Sequence, residues 1–110
     1  MSRLPAPREV CATEHSESCA LHQECERGDR VSCHRLGVRL AQKPRTRRRL
    51  SLSARYFESA CRLDWGPSCT ALGFQLERGD LGRRELRLAV RYYKRGCELK
   101  EANGCRSLAL

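Results

Sequence analysis

Cys61-Arg-Leu-Asp-Trp-Gly-Pro-Ser-Cys69-Thr-Ala-Leu-Gly73 is one of three copies of a pattern spaced 36 residues apart. One period earlier stands Cys25 to Cys33, followed by His34-Arg35-Leu36-Gly37. One period later stands Cys97 to Cys105, followed by Arg106-Ser107-Leu108-Ala109. The register extends past the cysteines. Ala54-Arg55-Tyr56-Phe57 falls on Val90-Arg91-Tyr92-Tyr93, Leu50 and Leu52 on Leu86 and Leu88, Val38 on Phe74, and Leu40 on Leu76. A fixed period of about 20–50 residues marks stacked supersecondary units, none of which buries its apolar face alone.

Within each period the apolar spacing is helical. Cys33, Leu36, Gly37 and Leu40 share one helix face, as do Cys69, Leu72, Gly73 and Leu76. These first helices are expected over 32–42 and 68–78, with Ser32 and Ser68 as N-cap hydroxyls. Second helices are expected over 48–63 and 84–99. Leu50, Ser53, Ala54, Phe57, Ala60 and Cys61 share a face of one, and Leu86, Ala89, Val90, Tyr93, Gly96 and Cys97 repeat it in the other. Gly37 and Gly73 each cost about 1 kcal/mol of helix propensity against Ala, and close approach of the second helix supplies a reason for them. Lys43-Pro44-Arg45-Thr46 and Gly79-Asp80-Leu81-Gly82 are the loops within the hairpins. Residues 64–67 and 100–103 turn the chain into the next one. Residues 1–10, with Pro5 and Pro7, read as a flexible lead-in. Residues 11–110 read as one domain: a degenerate first repeat (11–31, with a short helix over 14–26), repeats over 32–67 and 68–103, and a partial terminal helix over 104–110.

The pattern resembles the Sel-one-like repeat, a tetratricopeptide-related helical hairpin, and its paired cysteines make it similar to the cysteine-rich branch of that family found in Helicobacter. The resemblance covers roughly residues 18–110. It implies an all-α, right-handed, tetratricopeptide-like solenoid of helical hairpins serving as a non-catalytic protein–protein interaction scaffold. Eight cysteines allow 105 pairings, of which the repetition singles out Cys25–Cys33, Cys61–Cys69 and Cys97–Cys105. The resemblance implies that these are disulfide-bonded. A Cys11–Cys19 bridge rests only on equal spacing. Zinc is the competing reading, because Cys11, His15, Cys19 and His22 share a face if the segment is one helix. Four ligands over three helical turns do not converge on one ion, so neither a metal nor another cofactor is expected.

Only 5% of residues are aromatic, so the core is thin and cysteine staples would supplement it. The net charge of +9 is carried almost wholly by arginine, lysine occurring only at positions 43, 94 and 100. This balance favours acidic partners or anionic surfaces. No apolar run approaches the roughly 18 residues of a membrane span, so no membrane insertion is expected. Residues 1–8 lack the apolar stretch of a secretory signal, whereas disulfides belong to oxidising compartments. The sequence therefore supports a secreted or periplasmic location if the bridges form and a cytoplasmic one if the missing signal is real.

Some cysteine-rich relatives carry a penicillin-binding or β-lactamase label, so the resemblance gives a β-lactam-binding or weakly hydrolysing protein as the alternative function. That chemistry needs a serine with a lysine one helical turn on, and no serine here has one. No Gly-x-Ser-x-Gly elbow is present, and Glu24, Glu26, Asp29, Glu77 and Asp80 read as solvated helix-end charges. The binding surface is expected on the outward face of the first helices, at His34, Arg35, Val38 and Gln42, then Thr70, Ala71, Phe74 and Arg78. Phe74 lies across its helix from Leu72 and Leu76, and beside arginine it suits a protein or acidic peptide. Nucleic acid fits less well. Arg45, Arg47, Arg48 and Arg49 form a basic run without interleaved aromatics, and read as a solvated loop entering a helix. Arginines at a helix start oppose the macrodipole, which the sequence alone does not explain.

Overall fold

The computed structural model describes residues 4–11 and 16–109. These residues form seven helices and no strand: α1 (Pro7–Cys11), α2 (Ser16–Glu26), α3 (Arg30–Ala41), α4 (Arg47–Arg62), α5 (Gly66–Arg78), α6 (Leu86–Glu98) and α7 (Ala102–Leu108). Each packs against its neighbours in sequence, and α7 also reaches α5. Among the described residues no helix is long and apolar enough to cross a membrane. All eight cysteines are bonded, as Cys11–Cys19, Cys25–Cys33, Cys61–Cys69 and Cys97–Cys105, with Cα atoms 4.5–4.8 Å apart.

The turns into α3, α5 and α7 share one construction. Gly28, Asp64 and Lys100, spaced by the same 36 residues, all have positive φ (94°, 66° and 69°). A left-handed residue reverses the chain after a helix, and the next residue then starts the following one. Asp29 caps α3 by accepting from the Val31 and Ser32 amides, and Glu101 caps α7 by accepting from Gly104. Trp65 holds the same place before α5 without a side-chain bond. Ser32 and Ser68 are therefore not N-caps, contrary to expectation. They lie inside helices that begin two residues earlier, and the Ser68 hydroxyl meets His34 Nδ1 at 2.6 Å. α6 begins two residues later than expected, at Leu86, because the Glu85 amide is held by the Leu76 carbonyl at 2.9 Å. The terminal helix likewise begins at Ala102 and not at 104. The first two residues of the helix expected over 14–26 lie outside the described residues.

The basic run has a structural role. Thr46 caps α4 through the Arg49 amide, and the Arg49 guanidinium donates to the Arg39 carbonyl at 3.1 Å. Arg84 does the same for Glu77 at 2.8 Å. Both cations thus sit at the carbonyl-rich C-terminal end of the preceding helix, where the dipole favours positive charge.

Two apolar clusters form the core. One gathers Leu36, Leu40, Leu52, Tyr56 and Ala60 with Cys25, Cys33 and Val10; the other gathers Ala54, Phe57, Leu72, Leu76, Ala89 and Tyr93. The expected faces of α3, α4 and α5 are buried throughout. In α6 the match is partial. Ala89, Tyr93 and Gly96 are buried, but Leu86 and Val90 are each 51% exposed. Their counterparts Leu50 and Ala54 lie on a helix that the 13-residue α5 packs against, whereas α6 meets the 7-residue α7. Gly37 and Gly73 mark close approaches: a Cβ at either would stand 2.6 Å from the ring of Phe57 or Tyr93, respectively. Within the stretch the sequence reads as a lead-in, residues 4–10 are placed against the core. Pro5 and Val10 are fully buried, and Pro7 opens α1, where its missing N–H is no loss.

Candidate functional site

α3 and α5 present their outward residues to a shared groove of about 270 Å³. Val38 and Gln42 come from α3, Arg45 from the following loop, and Phe74, Gln75 and Arg78 from α5, with Ala71 between them. Helical spacing explains the placement. Val38 is two residues from both Leu36 and Leu40, and Phe74 is two from both Leu72 and Leu76, so each points away from the core face. Val38 is 40% exposed and Phe74 38%, the latter lying edge-on to Tyr93 with centroids 5.4 Å apart. Val38 and Gln42 also line an adjoining depression with Glu17, Leu21 and Arg35. The sequence-predicted residues Arg35, Val38, Gln42, Ala71, Phe74 and Arg78 therefore fall on one continuous surface.

Two predicted residues do not. Thr70 is buried (3% exposed), its Oγ1 close to both Gly96 and Gly104, because α6 and α7 cover that part of α5. His34, expected at the surface, is half-buried between the rings of Phe57 and Trp65, with centroids 5.4 and 6.5 Å away. It ties α3 to α5 through Ser68, and its burial lowers its pKa below the ordinary 6.5. Neither side chain is available to a partner in the groove.

Sequence reasoning missed Gln75, which is 1% exposed and lines the groove. Its Nε2 donates to Ser53 Oγ at 3.1 Å, and that hydroxyl donates to the Gly37 carbonyl at 2.5 Å. A serine hydroxyl has one proton, so Ser53 must accept from the amide and the orientation of Gln75 is fixed. Gln75 Oε1 is left buried with no hydrogen-bond partner. A signal existed: Gln75 stands 36 residues after Arg39, another polar residue directed at the preceding helix, which bonds Ser18 Oγ at 2.9 Å. At the rim, Asp80 accepts from Arg45 at 3.2 Å and from Arg78 at 2.8 Å. The cluster of one anion and two cations keeps a net positive charge.

Cys11 and Cys19 are joined to each other, His22 Nδ1 faces the Tyr56 hydroxyl at 2.6 Å, and His15 lies outside the described residues. Among the described residues no group of three His, Cys, Asp or Glu could hold a metal ion. Comparison with protein-family models finds no match to the chain, and comparison with curated proteins finds none either.

Proposed function

We propose that this protein is a non-catalytic interaction scaffold, a right-handed, tetratricopeptide-like solenoid of Sel-one-like hairpins with α3–α4 and α5–α6 as its two whole units, and that the α3/α5 groove receives an acidic peptide segment of a partner protein. The joints built alike at Gly28, Asp64 and Lys100, each beside a bridge, support the repeat reading. The observation that carries the binding reading is the pair of outward apolar side chains, Val38 at 40% and Phe74 at 38% exposure, set in one groove with Arg45 and Arg78. An apolar side chain would rest between Val38 and Phe74, and a carboxylate would meet the positive rim at Arg45 and Arg78.

Selection from a random peptide library against the disulfide-intact protein tests this. Enriched peptides are expected to carry an apolar residue close to Asp or Glu, and Phe74→Ala and Arg78→Glu should each weaken them. Peptides without acidic bias, or retained equally by both variants, would refute the assignment of the groove.

A further inference from the structure

Independently of the α3/α5 groove, we propose that a second groove, formed by α4, α5 and α6, docks a short partner helix carrying one apolar anchor and an adjacent carboxylate, the external counterpart of residues 4–11. The chain itself shows what such a groove takes. Val10 of α1 is fully buried in the cluster that contains Leu36, Leu40, Leu52 and Tyr56, with Leu4 packed against it. Glu9, the residue before the anchor, reaches Arg55 at 3.9 Å.

Thirty-six residues on, the same four positions are Leu72, Leu76, Leu88 and Tyr92. All four line an open groove of about 260 Å³. Leu52 is 5% exposed in the cluster that holds Val10, while its counterpart Leu88 is 37% exposed. Tyr56 is fully buried and Tyr92 only half-buried. One basic position is repeated as well, while Arg55 and Glu58 line the α4 side of the groove. Arg91 is the counterpart of Arg55, and it lies exposed beside Leu88 and Tyr92 in the continuation of the groove.

The occupant follows from this equivalence. An apolar side chain would fill the space that Val10 fills between the leucines and the tyrosine, and the carboxylate before it would meet Arg91 as Glu9 meets Arg55. Residues 4–11 of a second copy are a poorer occupant, because the Cys11–Cys19 bridge tethers that segment beside its own groove.

The test uses a fluorescein-labelled peptide of residues 4–11 with Cys11→Ser, titrated by anisotropy into the disulfide-intact full chain. Saturable binding with a dissociation constant on the order of 100 µM is expected. Leu88→Glu should weaken it about tenfold. Arg91→Glu in the protein, or Glu9→Gln in the peptide, should weaken it about threefold at low salt. Val90→Glu, which changes an exposed neighbour that does not line the groove, should leave binding unchanged; circular dichroism checks that each variant is folded. Amide shifts on peptide addition should centre on Leu72, Leu76, Leu88 and Tyr92. The proposal is overturned by no binding at millimolar peptide, by affinity indifferent to Leu88→Glu, or by shifts centred on Leu36 and Leu40, which would mean displacement of α1. Absence of peptide binding together with a concentration-dependent dimer abolished by Leu88→Glu would assign the groove to a second copy and overturn it equally.

Discussion

Gly37→Ala adds one methyl group at the point where α3 meets α4. The new Cβ would stand 2.6 Å from both Cδ1 and Cε1 of Phe57, whereas carbon atoms in contact prefer about 3.5–4.0 Å. About 1 Å of separation must come from somewhere. Phe57 is 3% exposed and its ring abuts His34, so it has little room to turn aside. Moving the helices apart instead would stretch the hydrogen bond from Ser53 Oγ to the Gly37 carbonyl itself. Helix propensity favours alanine by about 1 kcal/mol. Against it stand an overpacking cost of about 1–3 kcal/mol and a weakened buried hydrogen bond of about 1 kcal/mol. The expected net effect is a loss of about 1–3 kcal/mol, which for a chain of this length lowers the melting temperature by roughly 4–13 °C. Urea denaturation with the disulfides intact measures it, with an unchanged m-value confirming that only stability has moved. In a Phe57→Leu background the same substitution should cost at least about 1 kcal/mol less, because the two side chains collide directly. A Gly37→Ala protein as stable as the parent, or more so, would refute the argument that helix contact requires this glycine.

The double variant Cys61→Ser/Cys69→Ser should lose about 2–3 kcal/mol by the loop-closure model, since the bridge spans a separation of only 8 residues. Denaturation of the variant beside the parent checks this, and a loss below about 1 kcal/mol would mean that the turn at Asp64 holds its shape unaided. The pH profile offers a separate check. Burial lowers the His34 pKa below 6.5, so the unfolded chain binds the proton more tightly. Stability should be full above pH 6.5, decline as the pH falls below it, and level off beneath the folded value. His34→Gln should remove this component in denaturation series between pH 7.5 and 5, and a decline of undiminished depth would place its origin elsewhere.

Much of the architecture was legible because the cysteine spacing and the helical spacing of Leu36 and Leu40 report local geometry. The same local logic placed Val38 and Phe74 on the outward face and Gly37 and Gly73 against a neighbouring helix. The errors arise where distant segments meet. Thr70 has an outward position on α5, but α7, more than thirty residues later, comes to rest over it. His34 is covered by Trp65 and Phe57, neither of which is near it in sequence. Ser32 and Ser68 looked like caps because their hydroxyls suit the role, yet a left-handed residue at Gly28 or Asp64 moves the helix start ahead of them. Pro5 and Pro7 suggested a loose lead-in, since a proline-rich end shows no periodicity by which its docking could be foreseen. The orphan oxygen of Gln75 was the least legible feature. Its significance depends on where a single serine proton goes, which only the assembled contact between α4 and α5 decides.

The disulfides have a consequence for how such a chain can change over generations. Every bridge joins cysteines 8 residues apart, and none encloses another. Any 36-residue segment cut in register from the repeating part contains two cysteines. Copying or deleting it restores the spacing on both sides, so a whole bridge is gained or lost and no thiol is stranded. A framework of long, interlocked bridges would break under the same event. Here the length of the chain is free to drift by whole units while oxidation remains a matter of neighbours meeting neighbours.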